Sequence, residues 1–565
     1  MAYAYTNQRR VIVPGPHFVD LQTVIPAPVG FPTGSFAVVN PRLRPAVPQI
    51  EVLVPIAPPA VAPFRFTVNP ALLIRMDEER TQSLLRFMEN EGLIPSAEEE
   101  FKRKEVIMKL KEIVLSWIKK VAWQRRFPRH LIMSTSATIL TYGSYGLGVH
   151  GSESDIDALC VGPSFATMHE DFFIVLRNML QNRPEVSEIH CVKDAKVPLM
   201  RFKFNGISID LPYAQLKVNS VPENVDILNP FFLMNIDDTS WRSLSGVRAN
   251  IRILQLVPNT ENFQAMLRCL KLWAKRRGVY GNLHGFLGGI HMAVLAAYVC
   301  QLHPNASINV LISKFFETFA LWRWPTPVML QDEMAPMGVD VSEVRSLMPI
   351  MLPCSSREYC HSNITKSTFN RIRSELLRGH AMTRDFLRPD FEWGTLFEHF
   401  QYTKIYVRFV RIFLSASDQD ELGDWVGWVK SRFRCLILKL EEVQGLCDPN
   451  PTEYVDPDVA DPNVVFYWGL QPGRSRFTDI DYVEEDFIKS INHGFQGPRG
   501  IIEMSIVEAS ELSKNVKIDS GNAEEPKACW RMPEYNRQMK PIYSQYLPYY
   551  FVGYVAKAED TSAGG

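Results

Sequence analysis

The sequence lacks the close cysteine pairs that mark zinc sites. Its 565 residues include nine cysteines, an odd number, and no two of them stand three positions apart. Scattered single cysteines are typical of reduced thiols in an intracellular protein. Cys354, Cys360 and His361 are near enough in sequence to share a metal, but packed or exposed thiols are the favoured interpretation because no second pair lies nearby.

An excess of charge of either sign is also absent. The 61 Lys and Arg residues face 62 Asp and Glu residues, which leaves a formal net charge of -1. A strongly cationic chain could bind nucleic acid along its whole surface, and this chain cannot. Any contact with nucleic acid must therefore come from a local basic patch.

Long apolar runs are missing as well. The longest, near Gly288–Cys300, is shorter than the roughly 20 residues that a membrane helix needs, and it contains His291. Residues 1–10 do not have the apolar core of a signal peptide. We therefore expect no membrane segment and no membrane partner.

What the sequence does have is enough apolar material for several hydrophobic cores. Its 64.6 kDa exceed what one core usually organises. Apolar residues make up 46% of the chain and charged residues 22%, which excludes global disorder, collagen and coiled coil. We therefore expect a folded protein of about three or four domains.

Proline is concentrated at the start of the chain. Residues 1–66 hold 12 of the 39 prolines, a density that removes backbone donors and interrupts helices. We expect a flexible extension there, and a partner-binding polyproline segment is the alternative. Residues 511–565 show neither helical nor strand periodicity, so we expect a mostly disordered tail.

The hydrophobic pattern organises the rest of the chain. Apolar residues three and four apart predict helices around 84–88 and 107–118 and a helical section over 262–321. Short β-rich runs between 139 and 216 predict an α/β segment. Beyond residue 353 we expect a separate α+β section, with strands at Lys404–Leu414, Phe433–Leu440 and Val464–Leu470 and a helix at Asp418–Trp428.

A glycine-rich loop followed by two aspartates is the segment most informative about chemistry. The loop Tyr142-Gly-Ser-Tyr-Gly-Leu-Gly-Val-His-Gly151 precedes Asp155-Ile-Asp157 at the head of an apolar strand. Glycines let the backbone approach a ligand and turn its N–H groups toward phosphate, with the Ser144 hydroxyl as a further donor. Side chains two apart on a strand point to one face, so both carboxylates can converge on one hard cation.

In most proteins two acids so spaced mark only a solvated turn. Here the apolar strand Ala158–Val161 argues against that interpretation, because carboxylates at a buried strand end repel each other and lose hydration unless a cation neutralises them. A third acid, Asp210, alternates with Ile207 and Ile209 and therefore lies on the other face of its strand. Three carboxylates suffice for two divalent ions, which clamp the attacking and leaving oxygens of a phosphoryl displacement. The residues therefore predict nucleotidyl transfer.

A basic helix fits the same chemistry. In Phe263–Arg277 the apolar residues form one stripe, and Arg268, Lys271 and Lys275 share a neighbouring flank. That flank could hold a triphosphate. From the helix alone, an ordinary solvated face is an equally good interpretation.

The residues that follow this helix favour a nucleotide pocket. Tyr280 and Asn282 come directly before the glycine turn Gly285–Gly289. An aromatic ring can stack on a base, an amide can read its edge, and glycines allow close approach. Together they strengthen the prediction of a triphosphate-binding flank.

These motifs resemble those of the eukaryotic nuclear-type poly(A) polymerases, in the DNA polymerase beta-like nucleotidyltransferase superfamily. The resemblance runs from about residue 66 to at least residue 497 and rests on six segments in the family's order and spacing. They are Gly143-Ser144, Asp155-Ile-Asp157-Ala-Leu-Cys, Ser208-Ile-Asp210, Leu256-Val-Pro-Asn259, Lys271-Leu-Trp-Ala-Lys-Arg276 and Gly285-Phe-Leu-Gly-Gly289.

The resemblance implies a multi-domain α+β fold. Its parts are an α/β nucleotidyltransferase catalytic domain, an all-helical central domain and an α+β C-terminal domain that is similar to an RNA-recognition motif. The expected boundaries are 1–66 for the Pro-rich flexible extension, 67–215 for the catalytic domain, 216–352 for the central domain, 353–510 for the RNA-binding domain and 511–565 for the tail.

The resemblance also implies the roles of individual residues. Asp155, Asp157 and Asp210 are the expected catalytic residues and the ligands of two Mg²⁺ or Mn²⁺ ions. ATP is the expected substrate, and besides the three acids the positions that match ATP contacts are Tyr142, Gly143, Ser144, Gly151, Ile156, Lys271, Tyr280, Asn282, Gly289 and Ile290. The sequence departs from the family at Gly146, where Arg is usual, at Ser152-Glu153, where Lys-Gly is usual, and at Ser245, where an Asn contacts the nucleotide.

The implied function is template-independent addition of AMP from ATP to the 3′-hydroxyl of mRNA, with release of pyrophosphate. The alternatives are a relative that adds another nucleotide and a catalytically silent RNA-binding scaffold, against which the intact acidic triad speaks. Expected partners are the RNA 3′ end and 3′-end processing factors, and we expect a monomer. The family implies a nuclear location, while the absence of a Lys/Arg cluster after Ser510 leaves the cytoplasm open.

Overall fold

The structure is a computed structural model of the chain. It describes residues 70–512 except 194, 332–345, 355–357, 472–479, 495–496 and 498. The predicted Pro-rich extension and nearly all of the predicted tail lie outside the described residues. Among the helices of the described part, none is both long and apolar enough to cross a bilayer.

A five-stranded mixed sheet with flanking helices comes first. Its elements are α1 (Pro70–Asn90), α2 (Ala97–Gln124), α3 (Arg129–Ser134), β1 (Thr138–Tyr142), α4 (Gly143–Gly146), β2 (Ile156–Gly162), a π-helix (Met168–Leu176), α5 (Arg177–Gln181), β3 (Val186–Val192), β4 (Leu199–Phe204) and β5 (Ile207–Gln215). The strand order is β1-β2-β5-β4-β3; β2 and β5 are parallel and the other neighbours antiparallel. The predicted α/β segment is confirmed.

Local sequence explains where two of these elements begin and turn. The longest helix, α2, starts at a capping box in which Ser96 and Glu99 bond each other's backbone N–H groups. Strands β4 and β5 form a hairpin around Asn205 and Gly206, whose φ angles are +48° and +79°. Asn-Gly favours such a turn because both positions require positive φ. The hairpin places β4 beside the strand that carries Asp210.

Helices dominate the next section. They are α6 (Pro230–Leu233), α7 (Asp238–Leu256), α8 (Thr260–Arg276), a 3-10 turn (Asn282–His284), α9 (Gly289–Leu302), α10 (Ile308–Ala320), α11 (Lys366–Thr383), α12 (Trp393–Leu396) and α13 (Tyr402–Ile405). Trp273 of α8 packs edge-on against Phe316 of α10 within one large apolar core. The helical section predicted over 262–321 is confirmed.

A four-stranded antiparallel sheet ends the described chain. Its elements are β6 (Arg408–Ser415), α14 (Gln419–Lys430), α15 (Phe433–Val443), β7 (Cys447–Asp448), β8 (Asn463–Leu470), α16 (Asp481–Asn492) and β9 (Ile501–Glu508). The strand order is β7-β8-β6-β9. The predicted helix Asp418–Trp428 and strand Val464–Leu470 are confirmed, and the strand predicted from Lys404 begins at Arg408.

The strand predicted at Phe433–Leu440 is wrong, because these residues form α15. Phe433, Leu436, Ile437 and Leu440 are fully buried, and their spacing of three, one and three is helical. In an apolar run of only eight residues, helical and strand periods are hard to separate. The exposure of Leu438 shows the helical period directly, since a strand would place it on the same face as Leu436.

The two faces of the C-terminal sheet are covered differently. The helices α14, α15 and α16 pack on the face that carries Val410, Ile412 and Phe466. The opposite face, with aromatic side chains such as Phe409 and Tyr467, is covered by other segments of the chain, including residues 400–406, 454, 459 and 512. No open aromatic surface is therefore left on the described part of this sheet face.

A buried ionic network joins the central helices to the C-terminal sheet. Arg371 of α11 donates to Glu375 at 2.7 Å and to Asp448 of β7 at 3.0 Å, and Arg277 beyond α8 donates to Glu375 at 2.7 Å. These four side chains are at most 10% exposed. A buried charge without its partner is costly, so the network ties the two sections together.

Side-chain alternation decides what the first sheet presents on each face. Ile156, Ile209 and Leu211 pack into the core shared with α2. Leu159 and Ala214 lie in the smaller core shared with α7. Because neighbours along a strand alternate, the acids that follow Ile156 and Ile209 face the α7 side, as the sequence predicted for Asp210.

Candidate active site

Four polar residues form one row across the first sheet. Tyr142 of β1 pairs with Asp157 of β2, Asp157 with Asp210 of β5, and Asp210 with Arg201 of β4. Directly paired residues on neighbouring strands present their side chains to the same face. The row therefore brings two of the predicted metal ligands side by side, and Asp155 precedes β2 by one residue on the same face.

Gly143 leaves room for the Asp157 carboxylate. This glycine follows Tyr142 with a φ of +61°, and a Cβ built on it would lie 1.8 Å from Asp157 Oδ2. The side-chain amide of Asn250 on α7 donates to Gly143 O at 2.9 Å and holds the turn. Both the backbone conformation and the space thus require glycine here.

Burial and neighbouring carboxylates raise the pKa of Asp155 and Asp157. Burial, Asp155 and Asp210 raise the pKa of Asp157 to about 7, and partial desolvation together with Asp210 raises that of Asp155. Burial and the same acids also raise the pKa of the Tyr142 hydroxyl. A carboxylate cluster of this kind is unfavourable when charged, and a bound cation would relieve it.

Asp210 is engaged with an arginine that the sequence analysis did not single out. Arg201 Nε and Nη2 donate to the two carboxylate oxygens of Asp210 at 2.7 and 2.8 Å. The Asp210 side chain is 15% exposed and that of Arg201 59%. The hairpin register would have indicated this pair, since an Asn-Gly turn after Phe204 places Arg201 opposite Asp210.

The donor set fits a hard divalent cation, although it is not arranged as a closed cage. In the part of the chain that the structure describes, no three His, Cys, Asp or Glu side chains stand together as a metal-holding group. Carboxylate oxygens are nevertheless the ligands that Mg²⁺ or Mn²⁺ prefers. Asp155, Asp157 and Asp210 would hold the metal, with Asp210 giving up part of its pairing with Arg201.

Two basic residues of α8 lie toward the acids and the expected pocket. Burial and Lys275 lower the pKa of Lys271 to about 8, while Asp155 and Asp157 oppose that shift. Lys275 stands over the ring of Tyr280, with its Nζ 5.9 Å from the ring centroid. Arg268, the third member of the predicted flank, instead donates to the carbonyl of Gly148. Lys271 and Lys275 thus lie toward the expected ligand, whereas Arg268 binds the glycine loop.

The predicted base-binding residues line an open cavity of about 390 Å³. Lys275, Tyr280 and Asn282 contribute from the central section, and Lys430 and Thr452 from the C-terminal section. Lys430 and Thr452 could not be placed here from the sequence, because they come from a separate part of the chain. A cavity of this size has room for a nucleobase and its sugar.

The remaining predicted contacts have different positions. Gly289 faces Tyr280, because a Cβ built on it would lie 3.3 Å from the hydroxyl. Ile156 is fully buried in an apolar core, so only its backbone is available to ATP, whereas Ile290 is half-buried against another core. The Asn282 amide is partly committed, since its Oδ1 accepts from Asn363 N at 3.2 Å.

The departures from the family pattern have local explanations at two positions. A Cβ on Gly146 would lie 2.9 Å from Thr141 O and 3.0 Å from Asn250 Nδ2, so a long side chain needs a shift there. The Ser245 hydroxyl donates to Arg242 O at 2.7 Å within α7. It is therefore occupied inside its own helix.

His150, near the end of the glycine loop, is buried against α2. It is 4% exposed, and its Nε2 lies 2.5 Å from Glu100 Oε1 on α2. Its ring also packs against Tyr145. These contacts favour a supporting position for His150 over a phosphate contact.

Two family models match the chain in sequence. The poly(A) polymerase nucleotidyltransferase domain matches residues 74–257, and the poly(A) polymerase central domain matches residues 262–399. Between them the two matches cover more than half of the chain. The first contains the glycine loop and the three acids, and the second contains the basic helix and the predicted base-binding residues.

Several curated proteins are similar to this chain. Nuclear poly(A) polymerase 3 of Arabidopsis thaliana is 58% identical over 85% of this chain and 94% of that protein. Nuclear poly(A) polymerase 2 of the same plant is 41% identical over 70% and 51%, so the chain spans about half of it. A solved structure of a cytoplasmic RNA terminal U-transferase is 14% identical, with a TM-score of 0.40 over 57% of this chain and 99% of that one.

Proposed function

The chain belongs to the poly(A) polymerase family, and we propose that its RNA adenylyltransferase activity resides at the row formed by Asp157 and Asp210 together with Asp155. The enzyme adds AMP from ATP to the 3′-hydroxyl of RNA without a template. The 3′-oxygen forms a bond to the α-phosphorus, the bond to pyrophosphate breaks, and the hydroxyl proton leaves. The observation that supports this location best is the direct pairing of two acids in a sheet row that Gly143 keeps open.

The acids hold the divalent ions in this proposal. Bound Mg²⁺ or Mn²⁺ lowers the pKa of the attacking hydroxyl and takes up charge from the leaving pyrophosphate. Asp155, Asp157 and Asp210 would hold the ions, and Arg201 balances part of the charge of Asp210. The raised pKa values of Asp155 and Asp157 support this assignment.

The glycine loop and α8 bind the nucleotide. We assign the triphosphate to Gly143, Ser144 and Gly151 on one side and Lys271 on the other. The lowered pKa of Lys271 still leaves it largely protonated at neutral pH, as an anion-binding lysine must be. Tyr280 and Asn282 contact the base, with Gly289, Ile290 and the backbone of Ile156 completing the list.

The C-terminal section is proposed as an RNA-binding domain related to the RNA-recognition motif. Apart from the additional helix α15, its elements follow the order β-α-β-β-α-β in a four-stranded antiparallel sheet, which that motif shares. Because the aromatic face is covered by the chain itself, RNA would contact other surfaces. The proposed domain boundaries remain 67–215, 216–352 and 353–510.

The proposed cellular role is mRNA polyadenylation in the nucleus, by a monomer that meets 3′-end processing factors. Two relatives are named nuclear poly(A) polymerases, which supports that location over the cytoplasm. Microscopy of the tagged full chain tests it. A cytoplasmic signal would overturn the location without bearing on the activity.

Primer extension tests the activity. The purified chain is incubated with a 5′-labelled oligo(A) primer, each NTP in turn, and Mg²⁺ or Mn²⁺. We expect a ladder with ATP and little with UTP, CTP or GTP. A ladder of equal length with UTP would favour the relative that adds another nucleotide, and no ladder with any NTP would favour the scaffold.

Substitution of one acid tests the location. Asp157→Asn should reduce extension more than about 100-fold while RNA binding persists, because only the metal site changes. The matched control is Asp390→Asn, which removes an exposed acid paired with Arg388. Extension by Asp157→Asn at more than about a tenth of the wild-type rate would contradict the assignment.

A further inference from the structure

Arg103 on α2 is buried against the glycine loop, and its acidic neighbour Glu99, one turn earlier on the same helix, interacts with it without forming a direct ion pair. The Arg103 side chain is 3% exposed, and none of the ion pairs between described residues includes it. Its Nη2 instead donates to the carbonyls of Ser152 and Ser154 at 2.7 Å each and approaches that of Gly151 at 3.4 Å. A buried guanidinium is costly unless its donors are satisfied. Here the loop backbone satisfies Nη2, while the buried Nη1 has no hydrogen-bond partner among the described residues.

The bonded turn leads directly into the acids. Ser154 immediately precedes Asp155, and the Ser154 hydroxyl accepts from the N–H of Gly151 at 2.9 Å. One hydrogen bond within the turn thus closes it, and the Arg103 side chain binds its carbonyls. The turn ends at Asp155, the residue before β2.

The preceding part of the loop is held in the same way from α8. Gln264 donates to Leu147 O at 2.9 Å, Arg268 to Gly148 O, and Lys271 reaches Val149 O at 3.4 Å. These three carbonyls are consecutive. Side chains of α8 therefore bind the carbonyls of residues 147–149. Among the described residues, the side chain that binds carbonyls of residues 151–154 is that of Arg103.

We propose that Arg103 is a positioning residue, which holds the 151–154 turn so that Asp155 emerges beside Asp157. The guanidinium suits this task because its rigid plane fixes the directions in which Nη2 donates to the turn carbonyls. A lysine side chain is one bond shorter and its ammonium rotates freely, so it would hold the same carbonyls less firmly. The inference rests on the proposed function only in its kinetic consequence; its metal-binding consequence can be measured separately.

The experiment compares Arg103→Met, Arg103→Lys and a control at the opposite end of α2. Arg125→Met is the control. Arg125, the C-cap of α2, pairs with the buried Asp171 at 2.6 Å and therefore has a structural role. Three quantities are measured for each full-length protein. They are the melting temperature, the affinity for Mn²⁺ alone by electron paramagnetic resonance, and kcat and KM for ATP on oligo(A).

We expect Arg103→Met to weaken Mn²⁺ binding and lower kcat by about 10- to 100-fold, as loss of a residue that supports metal ligands typically does. KM for ATP should change less than about 3-fold. Arg103→Lys should fall between Arg103→Met and wild type. Arg125→Met should lower the melting temperature and leave kcat and Mn²⁺ affinity within about 2-fold.

Two outcomes would overturn the proposal. Arg103→Met could lose stability as Arg125→Met does while keeping its kcat and Mn²⁺ affinity, which would make Arg103 merely structural. If Arg103→Met does not fold, wild-type kcat and Mn²⁺ affinity in Arg103→Lys would have the same meaning. A wild-type protein that binds Mn²⁺ but extends no primer, with weaker Mn²⁺ binding in Arg103→Met, would support the positioning role and reject the proposed function.

Discussion

Among single residues, Gly143 makes the most stringent demand on the site. A methyl group there would collide with the Asp157 carboxylate, and the φ of +61° is unfavourable for alanine. We expect Gly143→Ala to lower kcat by about 100-fold, because a displacement of about 1 Å at a reacting group can cost that much. Steady-state primer extension measures it.

Gly206 supplies the matched control for that substitution. Its φ of +79° is equally unfavourable for alanine, but a Cβ there meets no atom within 4 Å. We expect Gly206→Ala to cost about 1 kcal/mol of unfolding free energy and to leave kcat unchanged. An equal loss of activity in both variants would show that strain, and not the collision with Asp157, is the cause.

Buried histidines make the fold sensitive to acid. His291 is 1% exposed and accepts from the N–H of Gly288 at 3.0 Å. Burial and then His361 lower its pKa from 6.5 to about 4. Between these values the unfolded chain binds a proton that the folded chain does not, so the free energy of unfolding falls as the pH drops through 6.5 toward 4.

We expect this one histidine to account for about 2 kcal/mol of the stability lost between pH 7 and pH 5. Urea unfolding of the wild type and of His291→Gln at both pH values measures it. Glutamine keeps an acceptor for Gly288 and does not titrate. A loss of the same size in His291→Gln would assign the acid sensitivity to other groups, such as His284.

Among the helices, α15 allows a direct test of period. A strand would put Leu436 and Leu438 on the same face, whereas the helix buries Leu436 completely and leaves Leu438 44% exposed. We expect Leu436→Ala to cost about 2–5 kcal/mol of unfolding free energy, and Leu438→Ala less than about 1 kcal/mol. Chemical denaturation measures both, and equal large costs would contradict the helix.

Elements with a long or strongly marked pattern were predictable, and so was the short strand Val464–Leu470, but one short apolar run was not. The apolar spacing around 107–118 predicts α2, and the alternation of Ile207 and Ile209 predicts the face of Asp210. The run at 433–440 was too short to distinguish periods. Lengths and local turns are encoded nearby in sequence, whereas the burial that decides a short run comes from distant residues.

The residues of the candidate site also differ in whether the local sequence reveals them. Asp155 and Asp157 directly follow the glycine loop, and Asp210 alternates with apolar residues in a later strand, so their chemistry was visible in the sequence. Arg201 depends on hairpin register, Arg103 acts on a turn 48 residues away, and Lys430 reaches the cavity from another section. Arg103 and Lys430 carry no local pattern, since any helix surface contains similar arginines and lysines.

Over the whole molecule, the network around Arg371 should make the central helices and the C-terminal sheet unfold together. Arg371→Met leaves Glu375 and Asp448 with fewer partners in a buried environment, and we expect a loss of about 3–5 kcal/mol. Arg388→Met, which breaks an exposed pair with Asp390, should cost less than about 1 kcal/mol.

Denaturation followed by two probes, one in each section, measures this loss and its cooperativity. We expect the two transitions to coincide in the wild type, because unfolding of either section would leave buried charges of the other without their partners. An Arg371→Met protein as stable as Arg388→Met would show that the buried charges relax or become hydrated without the arginine.

The row Tyr142–Asp157–Asp210–Arg201 has a consequence for handling the protein. A slip of one residue in β2 or β5 would exchange an acid for Ile156 or Ile209 in the row. Such a molecule could keep its mass and much of its helix content, yet it would be enzymatically inactive. Specific activity per mole is therefore a sensitive purity criterion for recombinant batches, because it counts only chains whose strands have found their proper partners.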